Sequence, residues 1–313
     1  MLQSYKHARN CDRFGGRFMD NSLQIMENLA HITRFLAPRN NLCCMMAYWI
    51  RQFCTPKLNK NSWTVIHDYD GNLKFKLDRS THLGSCIYWM GYHHMRELRF
   101  LNKILQPDYV FADIGASIGE FTLFAAKRLS KGRVLAFEPV IPIIKQLKEN
   151  IELNKFHNVT VYELGLSHIQ GKGEVYGPIS ERTSNKINNE GLFSMFQKEG
   201  HSQIGTVKLE LFDEVLKASG LKRLDFIKID VEGSELPVLK GAKNSLMQYK
   251  PIILLEIEES NFSAAGYTTK DVLSFLSNLS YKFFEIKPSG NIFPLIFSSL
   301  PASCNIICKS IDK

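Results

Sequence analysis

Acidic residues stand at several points where apolar runs of this chain end, and each could hold or activate a small polar ligand. Asp113 closes the run Tyr109-Val110-Phe111-Ala112 and is followed by the turn Gly115-Ala116-Ser117-Ile118-Gly119. Glycines at 115 and 119 remove the β-carbons that would block a ligand lying across that turn. The spacing is GxxxG, not the GxGxxG of dinucleotide turns. A pyrophosphate favours bare helix amides, whereas an acid on the strand itself, Asp113, favours a ligand bearing an ammonium group. Glu138-Pro139 ends the next apolar run, 23 residues beyond Gly115. A carboxylate at that distance can accept from both hydroxyls of a ribose, or it can balance the dipole at a helix N-terminus.

A second group lies in Asp225-Phe226-Ile227-Lys228-Ile229-Asp230-Val231-Glu232-Gly233. Alternation would aim Lys228, Asp230 and Glu232 to one side if strand geometry persists to Glu232. Asp230 is then a candidate base or acceptor-orienting group, Glu232 a second carboxylate, and Lys228 the cation that keeps the pair ionised. Glu232-Gly233 also reads as a helix-entry cap. Glu256, at the end of the following apolar run, is a fourth catalytic candidate. Such carboxylates could hold magnesium, which prefers oxygen ligands, but spacing alone assigns no metal.

An ammonium-binding acid beside a ribose-binding acid describes a ligand with an amino-acid end and a nucleoside, S-adenosylmethionine. Its binding set would be Asp113, Gly115, Ala116, Ser117, Gly119, Glu138 and Pro139, with Glu163, Leu164 and Gly165 near the adenine. NAD, and with it an oxidoreductase, is the second reading, disfavoured by the missing GxGxxG.

These residues need a scaffold that gathers strand ends. Strand-like runs at 109–114, 133–138, 159–163, 225–230 and 252–257 alternate with helical patterns at 118–129, 141–154, 235–247 and 269–279. The strands are apolar throughout, as expected when helices cover both faces. The expected fold is therefore α/β, a Rossmann-like doubly wound, mostly parallel sheet. Strands at 281–286 and 305–309 follow one another without a helix, which predicts an antiparallel hairpin at one edge. The division is a helical extension at 1–60, a β-hairpin and helix at 61–107, and the Rossmann-like domain at 108–313. Within that domain the polar stretch 171–205 exceeds an ordinary loop and reads as a substrate lid or a mobile insertion.

The segments Asp113 to Phe121, Ala136-Phe137-Glu138-Pro139, and Asp225 to Gly233 followed by Glu235, Leu239, Lys240, Gly241 and Ala242 resemble the FkbM family of S-adenosylmethionine-dependent methyltransferases. The similarity runs from about Trp63 to Lys309, includes Ile87-Tyr88 and Gly91, and does not cover residues 1–60. It implies a class I methyltransferase fold and O-methylation of a small-molecule or saccharide acceptor, such as a sugar or glycosylated natural product. Many family members carry an acid shortly after the glycine matching Gly91. Here His93-His94 stand there, read either as a changed substrate contact or as helix-entry packing.

Composition narrows the rest. The chain has 313 residues, 44% hydrophobic and 22% charged, enough to bury a large core and unlike a disordered or fibrous protein. Lys and Arg exceed Asp and Glu by 39 to 31, and residues 1–107 hold 15 basic and 7 acidic side chains, so the whole excess lies there. A basic first third could meet an anionic partner, which leaves a non-catalytic cofactor-binding module as an alternative; no nucleic-acid motif is present. Asn21 to Ala37 reads as an amphipathic helix ended by Pro38. Leu42 to Phe53 reads as a second helix that docks on the main domain, with peripheral membrane contact as the alternative, given Tyr48, Trp49 and Arg51. No apolar run approaches a bilayer span. Seven cysteines without a zinc-like spacing and the lack of a signal-peptide core predict a reducing, cytoplasmic setting.

Overall fold

The structure, a computed structural model, describes residues 11–39, 41–55, 62–178 and 193–311, and side chains throughout these except at 11–23 and 41. Two helices come first, α1 (Cys11–Leu36) and α2 (Asn41–Cys54), then the hairpin β1 (Trp63–Tyr69) and β2 (Leu73–Asp78). Asp70 and Gly71 turn this hairpin at positive φ, as the Asp-Gly-Asn sequence requires. Helix α3 (His82–Met90) follows, begun by Thr81, whose hydroxyl accepts the Gly84 amide, and ended by Gly91 at φ +88°. The sequence reading had no helix here. Residues 84–89 are all buried, so no polar face marks the helical period.

The core then runs α4 (Met95–Ile104), β3 (Val110–Ile114), α5 (Glu120–Arg128), β4 (Arg133–Phe137), α6 (Ile141–Leu153) and β5 (Val159–Tyr162). Strands β6 (Gly165–Leu166), β7 (Gly171–Pro178) and β8 (His201–Glu210) form a separate three-stranded sheet. The part of 171–205 that is described is therefore largely strand rather than loop, and residues 179–192 lie outside the described residues. Next come α7 (Phe212–Ala218), β9 (Phe226–Ile229), α8 (Glu235–Gly241), α9 (Lys243–Tyr249) and β10 (Ile252–Glu258). The helix expected over 235–247 breaks at Ala242, where a β-carbon on Gly241 would sit 2.1 Å from the Ser167 carbonyl. The chain closes with α10 (Glu259–Ala264), α11 (Thr269–Ser277), β11 (Tyr281–Ile286), β12 (Ile292–Pro294) and β13 (Ser303–Ser310).

The main sheet has the order β12-β11-β13-β10-β9-β3-β4-β5. Strands β10, β9, β3, β4 and β5 are parallel. Strand β13 inserts antiparallel between β10 and β11. The antiparallel pairing of β11 with β13 was expected, but its place was not: β12 takes the edge. Because the chain winds one way from β3 to β5 and the other way from β3 to β9 and β10, a crevice opens at the carboxyl ends beside β3.

Both sheet faces are dry. Val110, Ala112, Ile114, Ile227 and Ile229 enter one core cluster, while Phe111, Phe226 and Leu254 enter the other. Phe111 and Phe226 stack with ring centroids 5.1 Å apart. Period-two alternation places Asp113, Lys228 and Glu256 on the second face, beside α5. Helices α1 and α2 both pack on α3. Ala30, with Met26, Leu29 and Ile50, joins the core cluster that contains Ile87, Tyr88 and Trp89 of α3, and buried Arg51 donates to Ser85. The docking expected of the second helix thus occurs, while Ile25, Ile32 and Leu36 of the amphipathic first helix are exposed.

Candidate active site

A cavity of about 440 Å³ sits at the carboxyl ends of β3, β4, β9 and β10. Its walls include Gly115, Ala116, Ser117, Glu138, Pro139, Leu164, Gly165, Lys228, Asp230, Glu232 and Glu256, so most of the residues singled out in the sequence converge there. Three do not line it. Glu163 faces solvent in an ion pair with Lys148. Gly119 starts α5 at φ +104°, with its α-carbon against Leu147. Asp113 is fully buried behind the wall, where Thr122 donates to one carboxylate oxygen at 2.6 Å and Lys228 lies 3.6 Å from the other. Its place two residues from Phe111 turns it under α5 rather than into the crevice.

Lys228 organises the centre. Its ammonium donates to the Gly115 carbonyl at 2.7 Å and lies 3.2 Å from Asp230. Burial pushes the Asp230 carboxyl up, but the charges of Lys228 and His94 and a hydrogen bond from Glu256 outweigh it and hold the group below its ordinary value. Burial pushes the Glu256 carboxyl up, and the neighbouring Asp230, Glu232 and Glu235 push it further, well above its ordinary value. Its Oε2 has no hydrogen-bond partner among the described residues.

Strand geometry ends at Ile229. Glu232 takes φ +53° and Gly233 φ +103°, so Glu232 reaches the cluster from a turn and not from the continuing strand expected for it. Asn261 donates to its carboxylate at 2.8 Å and Lys198 lies 3.3 Å away. Sequence reading missed the residue that shapes this turn. Glu235 is buried and accepts the amides of Val231 and Gly233 at 2.9 and 3.0 Å. Burial raises its carboxyl to about 7 against the pull of those amides. Gly115 completes the packing, because a β-carbon there would come 1.8 Å from the Asp230 carbonyl.

Glu138 is held from two sides, by the amides of Ser117 and Val140, each 3.0 Å away. Burial raises its carboxyl to about 7, with the two amides opposing. A carboxylate has about four acceptor sites, so roughly two remain toward the cavity.

His93 and His94 also line the cavity, with Glu120, which the sequence reading did not single out. His94 Nδ1 lies 2.7 Å from Glu120 Oε2, and the other oxygen of Glu120 accepts the His93 amide at 2.6 Å. An ionised carboxylate only accepts, so His94 carries its proton on Nδ1 when neutral. Burial opposes the charged ring, but Glu120 overcomes it and raises His94 above the ordinary 6.5. His93 is driven the other way, to about 3, by burial and by His94. The structure joins the two readings of His93-His94: His94 is the N-cap residue at which α4 begins, and both histidines line the cavity with His82 and Glu120. A histidine pair in place of a family acid was the available signal; Glu120 had none, since it follows Gly119 as an ordinary first-turn acid. Phe193, Ser194 and Met195, from the stretch read as a lid, also line the cavity, and Ser194 donates to the Glu232 carbonyl at 2.8 Å.

These residues suit a nucleoside carrying a polar amino-acid tail. Apolar Phe137, Ile143 and Leu164 line the cavity together with Glu138, the Lys228–Asp230 pair and Glu256, whose Oε2 is unsatisfied among the described residues. They do not suit a pyrophosphate. The amides of Gly115 and Ala116 go to the Phe137 carbonyl, that of Ser117 to Glu138 and that of Gly119 to Ala116, so the turn has none of these to offer. Oxygens of Asp230, Glu232 and Glu256 lie within 4.8 Å of one another, a spacing a hard cation accepts. Lys228 and Lys198 already supply two positive charges at that cluster.

Fold and site together are those of a Rossmann-like, class I methyltransferase that uses S-adenosylmethionine. Residues 113–283 match the family model described as the methyltransferase FkbM domain. The chain belongs to the FkbM methyltransferase family. It is similar to the AMB antimetabolite synthetase AmbE of Pseudomonas aeruginosa, 28% identical over 52% of this chain and 9% of that protein. Methyltransferase sdnD of Sordaria araneosa is 30% identical over 46% of this chain and 69% of that protein. The hexuronic acid methyltransferase AglP of Haloferax volcanii is 30% identical over 58% of this chain and 66% of that protein. The matched stretches thus span from 9% to 69% of these relatives.

Proposed function

We propose that this chain methylates a hydroxyl oxygen of a sugar or glycosylated natural product. The observation that carries the reading is the presence, in the lining of one cavity, of an Asp230 flanked by Lys228 and a His94 oriented by Glu120. The name of the relative from Haloferax volcanii, a hexuronic acid methyltransferase, supports a saccharide acceptor.

S-adenosylmethionine supplies an activated methyl group on a positively charged sulfur. Glu138 accepts from the ribose hydroxyls, and Leu164 and Gly165 border the adenine. Asp230, kept ionised by Lys228, accepts a hydrogen bond from a neighbouring hydroxyl of the sugar and so fixes the direction of the reacting one. His94, with Nδ1–H committed to Glu120, presents Nε2 as the base, and the hydroxyl proton ends there as the oxygen gains its methyl group. Glu232 and Glu256 hold the Asp230 side of the pocket. Positioning of two reactants can contribute about 7–11 kcal/mol, against roughly 10²–10⁴-fold for a general base. Alignment by Asp230 therefore accelerates transfer more than proton removal by His94 does. The stretch containing Phe193 to Met195 covers the site and excludes water while the substrates are bound.

The test is an incubation with S-adenosylmethionine and methyl glucuronoside, read by mass spectrometry for a methyl ether and for S-adenosylhomocysteine. Asp230→Asn should abolish transfer while cofactor affinity stays within a few fold. Undiminished turnover in that variant removes Asp230 from the reaction.

A further inference from the structure

Helices α1 and α2 meet the body through one face and leave a second apolar face exposed. The body side buries Ala30 and Thr33 of α1, Ala37 just beyond it, and Ala47 and Arg51 of α2, with Met26, Leu29 and Ile50 packed on the same core. Arg51 is committed there, donating to Ser85 at 2.8 Å and to His82 at 3.1 Å. Other large apolar side chains point outward. Ile32, Phe35, Met45, Met46, Trp49 and Phe53 are each 53–65% exposed. On α2 these fall at 45, 46, 49 and 53, the spacing of one helical face, and Trp49 stacks on Phe53 with centroids 6.4 Å apart.

We propose that this face is an interfacial membrane-binding surface that lies on a bilayer containing anionic lipid. Charge selects this occupant over a second copy of the chain. Residues 28–67 contain five basic residues and no acidic one. Arg34 is paired with Asp68 and Arg51 is held by Ser85 and His82, so the charge this stretch adds beyond those contacts is that of Arg39, Lys57 and Lys60. Exposed Arg39 stacks its guanidinium 3.8 Å above the Phe35 ring, at the border of the apolar face. A twofold contact would bring like charges together with no acid from this stretch to pair them. Anionic headgroups supply the missing negative charge, and Trp49 and Tyr48 are the side chains that favour the headgroup level. Among the described residues no helix is long and apolar enough to cross a membrane, so the face lies along the surface and does not span it. The proposal is independent of the methyl-transfer reading, since none of these side chains lines the cavity.

Sedimentation of the full chain with vesicles of phosphatidylcholine and phosphatidylserine tests it. The protein should pellet with these vesicles, bind phosphatidylcholine alone at least about tenfold more weakly, and be released by salt. Trp49→Glu with Phe53→Glu should lose at least about tenfold of the binding with an unchanged circular dichroism spectrum, because both sites are exposed. Arg39→Glu should weaken binding by a smaller factor. Trp49→Phe should keep it while losing most of the quenching by brominated acyl chains. Failure of the wild-type chain to bind either vesicle overturns the proposal. So does a dimer in light scattering that the double variant dissociates while vesicle binding is unaffected.

Discussion

The ammonium of Lys228 lies 3.2 Å from the carboxylate of Asp230, two residues further along the end of β9. The same nitrogen meets the Gly115 carbonyl and approaches Asp113, so one buried cation ties the ends of β3 and β9 and neutralises acids on both. Burial works against a charged lysine, yet the two carboxylates win and raise its pKa above the ordinary value.

Lys228→Met therefore leaves two buried carboxylates without their cation. Breaking a buried pair in this way costs about 3–5 kcal/mol. Urea unfolding should show that loss at neutral pH. A variant as stable as the parent would mean that the lysine does not carry the charge balance.

In the proposed reaction the neutral form of His94 is the base, and Glu120 raises its pKa above 6.5. With the cofactor saturating, so that Glu138 does not contribute, kcat/KM for the acceptor should climb as pH rises through a value above that point. Glu120→Gln removes the charge that favours the imidazolium. The acid limb should then move to lower pH and the plateau should fall, whereas a purely structural role for Glu120 would lower the plateau without moving the limb.

Glu138 makes a separate prediction about binding. Its carboxyl is raised to about 7 by burial, and in the proposed site it must be ionised for both oxygens, each already accepting an amide, to accept from the two ribose hydroxyls as well. The affinity for S-adenosylhomocysteine should fall roughly tenfold from pH 8 to pH 6. Calorimetry on Glu138→Gln should show weaker binding with that slope removed.

The doubly wound core was legible because its strands are continuous apolar runs closed by acids and glycines, and positions such as Glu138, Asp230 and Glu256 follow from strand ends alone. Asp113 shows the limit of that reasoning. Strand alternation puts it on the Phe111 face, under α5, and only the placement of Thr122 and Lys228 reveals that its charge is spent inside the wall. Glu120 and His94 come from different elements, and nothing in either stretch announces the other. Helix α3 lost its periodic signal because burial on all sides removed its polar face. In α1 and α2 the periodicity marks an apolar stripe but cannot say how much of it meets the body: Met26, Leu29 and Ile50 pack inward while Ile32, Phe35, Trp49 and Phe53 turn outward.

The most direct test of the account is a crystal structure with S-adenosylhomocysteine bound. The ribose hydroxyls should lie within hydrogen-bond distance of Glu138, with the sulfur turned toward the space between Asp230 and His94. A nucleoside seated elsewhere, or a sulfur facing away from both side chains, would contradict it.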